Sequence, residues 1–127
     1  MKVIIAGSRT ITDYGTVVGA IEESGFEITE VVSGTARGVD QLGERYAMDE
    51  CITIKRFPAK WRKSGKYNPN AGFIRNEKMV DYVAPYGALV LVWDGQSKGS
   101  AHTLKFAKKK GIKIYLHIPG GRCVHIN

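Results

Sequence analysis

The stretch Ala88-Leu89-Val90-Leu91-Val92-Trp93 contains no polar residue until Asp94-Gly95 cuts it off. An apolar run without alternation suits a strand covered on both faces, as in a parallel sheet. Just before it, residues 71–83 predict a helix with Phe73, Val80 and Val83 turned inward. Just after it, a helix from about residue 99 to 110 stops at Gly111, and residues 112–118 predict another strand.

The same strand–turn–helix unit recurs toward the start of the chain. Val3, Ile4 and Ile5 form a short apolar run that ends at Gly7-Ser8-Arg9. Asp13 is placed to cap a helix whose Val17, Val18 and Ile21 share a face and which Gly25 ends. Residues 28–32 read as a second strand, closed by Ser33-Gly34-Thr35. From Gly38 to about Asp49, Val39, Leu42, Tyr46 and Ala47 recur at helical spacing. Residues 52–57 read as a third strand, ended by Pro58. The basic segment 59–70 has no apolar period and is expected to be a loop. Its length favours a functional role over mere connection. Residues 124–126 predict a further edge strand. Strands alternating with helices define βαβ units. The expected fold is therefore an α/β three-layer sandwich around a central, mostly parallel sheet of about five strands, in one domain spanning residues 1–127.

Composition agrees with that frame. The chain has 127 residues, of which 43% are apolar. A domain of this size buries roughly two-thirds of its unfolded surface, enough for one ordinary core. Cys51 and Cys123 form no CxxC pair and no His/Cys cluster in sequence, so no metal site and no cofactor are expected, and both thiols are expected reduced. The apolar start meets Gly7 too soon for a signal peptide, and no apolar run approaches the roughly 20 residues of a membrane span. A cytoplasmic protein with no membrane partner is expected.

The net charge of +7 points to an anionic partner. One basic cluster, Lys55, Arg56, Lys60, Arg62, Lys63 and Lys66, is interleaved with Phe57, Trp61 and Tyr67, aromatics able to stack on a base. The other, Lys105, Lys108, Lys109, Lys110 and Lys113, reads as a solvated helix face.

Three strand-to-helix turns are rich in small residues: Gly7-Ser8-Arg9-Thr10, Ser33-Gly34-Thr35-Ala36-Arg37-Gly38-Val39-Asp40, and Asp94-Gly95-Gln96-Ser97-Lys98-Gly99-Ser100. In a parallel sheet all three lie on the edge where ligands bind. Glycine permits close backbone approach, helix N-termini present free N–H groups, and Arg9 and Arg37 add charge. Together they make a phosphate-binding edge. The chain carries neither GxxxxGK[ST] nor a GxGxxG after the first strand, which sets it apart from P-loop and dinucleotide-fingerprint proteins.

These turns, with Pro58-Ala59-Lys60-Trp61, Ala71-Gly72, Arg75-Asn76 and Met79, and Trp93-Asp94-Gly95, follow a known order. The sequence resembles the YspA/cpYpsA-related branch of the SLOG superfamily, which includes LOG-type phosphoribohydrolases and DNA-processing A proteins. The resemblance implies a Rossmann-like sheet, a nucleotide or ribose-phosphate ligand, and a homodimer. In the LOG-type relatives an arginine and a glutamate cleave an N-glycosidic bond. That arginine corresponds to Arg75, whereas Thr103 stands where the glutamate would be. His102, Glu77, Asp40 and Asp94 are the side chains able to replace it, and Arg75 and His102 are the catalytic candidates.

The expected ligand-binding residues are Gly7, Ser8, Arg9, Ser33, Gly34, Thr35, Arg37, Gly38, Asp40, Trp61, Arg75, Asn76, Asp94, Gly95, Gly99 and Ser100. The reading is a protein that binds a phosphate-bearing nucleotide or its derivative, to sense, sequester or present it. Two alternatives stay open. One is a nucleotide N-glycosidase or phosphoribohydrolase. The other is a single-stranded nucleic-acid binder that uses the basic aromatic loop.

Overall fold

A computed structural model of the chain describes residues 1–126. The element order is β1 (Lys2–Gly7), α1 (Tyr14–Ser24), β2 (Glu30–Ser33), α2 (Val39–Asp49), β3 (Thr53–Arg56), β4 (Arg62–Lys63), β5 (Lys66–Tyr67), α3 (Ala71–Val83), β6 (Ala88–Val92), α4 (Lys98–Lys110), β7 (Lys113–His117) and β8 (Cys123–Ile126). The main sheet has six strands in the order β3-β2-β1-β6-β7-β8. All its neighbours run parallel except β8, which lies antiparallel on β7. The expected α/β Rossmann-like architecture is present, with the tail adding a sixth strand.

Period-two alternation in the central strands builds two cores. Val3 and Ile5 of β1, with Ala88, Val90 and Val92 of β6, face α1 and α2. Ile4 and Ala6, with Leu89 and Leu91, face α3 and α4. Every residue of β6 is buried, as its unbroken apolar run requires. The helix ends follow their capping residues. Asp13 accepts a hydrogen bond from the Thr16 amide at 3.1 Å, and Gly25 and Gly111 end α1 and α4 in the left-handed conformation.

Two local expectations change. The segment 59–70 is not a plain loop, because β4 and β5 pair antiparallel within it. Ser64 (φ 55°) and Gly65 (φ 77°) form its turn, and two successive positive-φ residues are what a tight hairpin needs. Phe73 does not point inward. It is 38% exposed, and Asn76 and Met79 take core-facing positions on α3 instead. Among the described residues no helix is long and apolar enough to cross a membrane.

Candidate functional site

The chain leaves β1 for β2 and β3 on one side, then crosses through α3 to β6 on the other. This is a topological switch point, and strand order alone opens a crevice between the carboxyl ends of β1 and β6. Those ends, Gly7 and Val92, lie opposite each other in register. A cavity of about 410 Å³ opens there, floored by Ala6, Leu91 and Met79.

Ser8 ties three turns together behind the cavity. Its side chain is fully buried and its Oγ accepts a hydrogen bond from the Asp94 amide at 2.9 Å. Its own amide donates to Val92 O at 3.1 Å, and its carbonyl accepts from Ile11 N and Val39 N. Gly38 (φ 75°) completes the junction: a Cβ there would lie 2.5 Å from Ser8 O, so only glycine fits.

The β2–α2 turn contributes the buried chemistry. Asp40, 4% exposed, accepts a hydrogen bond from Ala36 N at 3.1 Å. Burial pushes its carboxyl up to about 6, against the lowering effects of the Ala36 amide and the nearby Arg75 charge. Arg75 reaches across from α3. Its Nη1 donates to Gly34 O, and its Nε donates to Asn76 Oδ1 at 2.7 Å. Burial depresses the Arg75 pKa, and Asp40 opposes that. A Cβ on Gly34 would sit 2.7 Å from Asp40 Oδ2 and 2.9 Å from Arg75 Nη1. Gly34 is therefore the gap through which carboxylate and guanidinium approach each other. Asn76 holds Arg75 in place while its amide donates to Gly99 O at 3.4 Å, linking α3 to α4.

Asp94 behaves differently. Its Oδ1 accepts from Gln96 N at 2.8 Å and Ser97 N at 2.9 Å, and its Oδ2 accepts from Thr10 Oγ1 at 3.1 Å. The Gln96 and Ser97 amides hold its carboxyl below the usual range. Asp94 thus shapes the β6–α4 turn. Lys98, Gly99 and Ser100, in the first turn of α4, then face the cavity. Thr103, 2% exposed, lines the same wall, with its Oγ1 donating to Gly99 O at 3.0 Å. At the mouth stand Phe73 and Trp61; the latter is stacked on Tyr67 of the hairpin with ring centroids 6.3 Å apart.

The fold brings Gly7, Arg9, Asp40, Trp61, Arg75, Asn76, Asp94, Gly99 and Ser100 to the cavity wall. Ser8, Ser33, Gly34, Thr35, Arg37, Gly38 and Gly95 stand outside it. Ser33 is fully buried, donating to Glu44 Oε2 at 2.6 Å and accepting from Thr35 N at 3.1 Å. Thr35 holds a left-handed φ of 64°, which a β-branched residue rarely adopts. His102 is also absent from the wall. It pairs with Glu77 at 2.9 Å and stacks on Phe73 at 4.5 Å, in the seam between α3 and α4.

Sequence reasoning missed Thr10 and Phe73 as wall residues. The Gly-Ser-Arg-Thr turn offered a signal for the first, but helical periodicity pointed away from the second. It also missed a cluster remote from the cavity. The antiparallel pairing of β7 with β8 sets Cys123 opposite His117, and Glu23 joins them, all ligand atoms lying within 4.8 Å of one another. The sequence expectation of no His/Cys cluster therefore fails in space. Both cysteines are exposed and free.

Chemically, the cavity gathers the positive end of α4, Arg9, Arg75 and Lys98 above an apolar floor, with aromatic rings at its mouth. That suits an anion joined to a flat, partly apolar group. No curated protein matches the chain. The model of one family matches residues 1–64, a span that carries the first two strand-end turns and Trp61 and ends before Arg75. The chain belongs to the YspA, cpYpsA-related SLOG family.

Proposed function

We propose that the cavity binds a nucleotide or nucleotide derivative through its phosphate, and that the protein senses, sequesters or presents that ligand. The carrying observation is the convergence of Arg9, Arg75, Lys98 and the first turn of α4 on one cavity at the sheet's switch point. Membership of the SLOG family supports a nucleotide-related role. In this reading the phosphate lies near the α4 amides, where the helix dipole favours negative charge. Trp61 and Phe73 supply stacking surface for the base. Thr103, whose hydroxyl is engaged by its own helix, carries no charge with which to stabilise a glycosyl cation.

One observation favours a second reading. Asp40 is a cavity carboxylate whose pKa is about 6, in the range that suits a general acid or base. Nucleotide N-glycosidase activity would then run through Asp40 and not through His102, which faces Glu77.

Thermal unfolding with nucleoside monophosphates and their matching nucleosides tests the first reading, and chromatography of the same mixtures tests the second. Saturating nucleotide, at 100 times its dissociation constant, should add roughly 2.7 kcal/mol of stability, and the nucleoside clearly less. Equal shifts would remove the phosphate from the account. Free base appearing with wild-type protein but not with Asp40→Asn would establish the enzyme.

A further inference from the structure

On the far side of the first turn of α3 lies a second groove of about 440 Å³. Lys55, Arg56, Lys60, Lys63, Arg75 and Lys78 line it, and no acidic residue does. Among the described residues only Arg56 of these six is ion-paired, to Glu44 at 2.8 Å. Crowded like charges repel one another, and an anion in the groove would relieve that repulsion.

Groove and cavity share a wall. Arg75 lines both, and the start of α3 divides them, with Gly72 and Phe73 on the cavity side and Ala71 and Ile74 on the groove side. That helix start has no side-chain cap and no acidic residue in its first turn, so its dipole is unopposed on both sides. The hairpin also serves both openings, with Trp61 on the cavity and Lys60 and Lys63 on the groove. The groove repeats the cavity's pairing of cations with apolar surface, through Phe57 and the 45%-exposed Ile74.

We propose that the groove is a second phosphate subsite, so that the ligand is a unit of two nucleotides joined by a phosphodiester, one in the cavity and the next in the groove. This rests on the nucleotide reading of the cavity. Two successive sites of cation plus apolar surface match the repeat of a phosphodiester chain, whereas a mononucleotide would leave the lysines unanswered. A free dinucleotide and a segment of single-stranded nucleic acid share this chemistry.

The test is calorimetric titration of the full chain, at fixed salt, with the four 5′-phosphorylated homodinucleotides and their mononucleotides. The preferred dinucleotide should bind at least about tenfold tighter than its mononucleotide, as one added charged contact provides. In the triple variant Lys60→Glu, Lys63→Glu, Lys78→Glu, the dinucleotide should fall to within about threefold of the mononucleotide. Mononucleotide binding by that variant shows that the fold survives. If mononucleotide binds but no dinucleotide gains, or if the gain survives the triple variant, the subsite is overturned while the cavity reading stands. If neither binds, the cavity reading fails and takes the subsite with it. A ten-residue oligonucleotide separates the sources: affinity equal to the dinucleotide points to a free small molecule, and tighter binding points to a strand, the subsite holding in both cases.

Discussion

Asp40 and Asp94 both line the same cavity, one from the first turn of α2 and the other from the turn after β6. Asp40 is buried, accepts from the Ala36 amide with a smaller contribution from Gly7, and its carboxyl is pushed up to about 6. Asp94 is exposed, takes two amides and a hydroxyl, and is held low. The difference lies in which cost wins. At Asp40 desolvation outweighs the hydrogen bond and the Arg75 charge, so the group can exchange a proton near neutrality. At Asp94 the donors outweigh a weak desolvation, so the group stays ionised and braces its turn. One carboxylate is set by burial and the other by its hydrogen bonds.

Arg75→Ala should break the comparison hardest. It removes the cation nearest Asp40 and the donor to Gly34 O. The expected loss is about 3 kcal/mol at pH 7.5, from the two charge-assisted hydrogen bonds to Gly34 and Asn76 and the attraction to Asp40, shrinking at pH 5 where Asp40 carries a proton. Urea unfolding at both pH values measures this, and a loss independent of pH would uncouple the two groups.

Asp40→Asn comes next. Because the folded pKa is raised from 3.8 to about 6, the native state holds a proton that the unfolded chain has released. Asp40's contribution to stability is therefore full below about pH 4 and falls by about 3 kcal/mol as pH rises to about 6, at about 1.4 kcal/mol per pH unit, levelling off above. The asparagine variant should lack that fall.

Thr35→Gly should gain about 1 kcal/mol, since it relieves a left-handed backbone at a β-branched residue. A lowered Tm would show that the Thr35 side chain contributes more than its strain costs. Asp94→Asn should have the smallest effect, with the opposite pH sign to Asp40. Its destabilisation should be fully present at pH 7 and fade as pH drops below 4, where the native Asp94 also takes up a proton.

Much of the fold could be read from local signals. The unbroken run of β6, the Asp13 cap and the glycines that end α1 and α4 each act within a few residues, and each stands where its chemistry predicts. The three small-residue turns converge because a parallel sheet leaves them no other edge. What escaped depends on partners distant in sequence. Phe73 was assigned by helical period, but its side chain finds His102 on α4 instead of the core. His102 itself finds Glu77, 25 residues away, and so turns from the cavity. The Ser64-Gly65 hairpin offers too short a run to show alternation. No sequence pattern told Asp40 from Asp94, because burial is a property of the packed turns.

The most direct test of the central claim is a crystal structure of the protein with a bound nucleoside monophosphate. The account predicts phosphate oxygens within hydrogen-bond distance of the Gly99 and Ser100 amides and of Arg9 or Arg75, with the base against Trp61 or Phe73. A nucleotide bound elsewhere on the surface, with this cavity left to solvent, would contradict it.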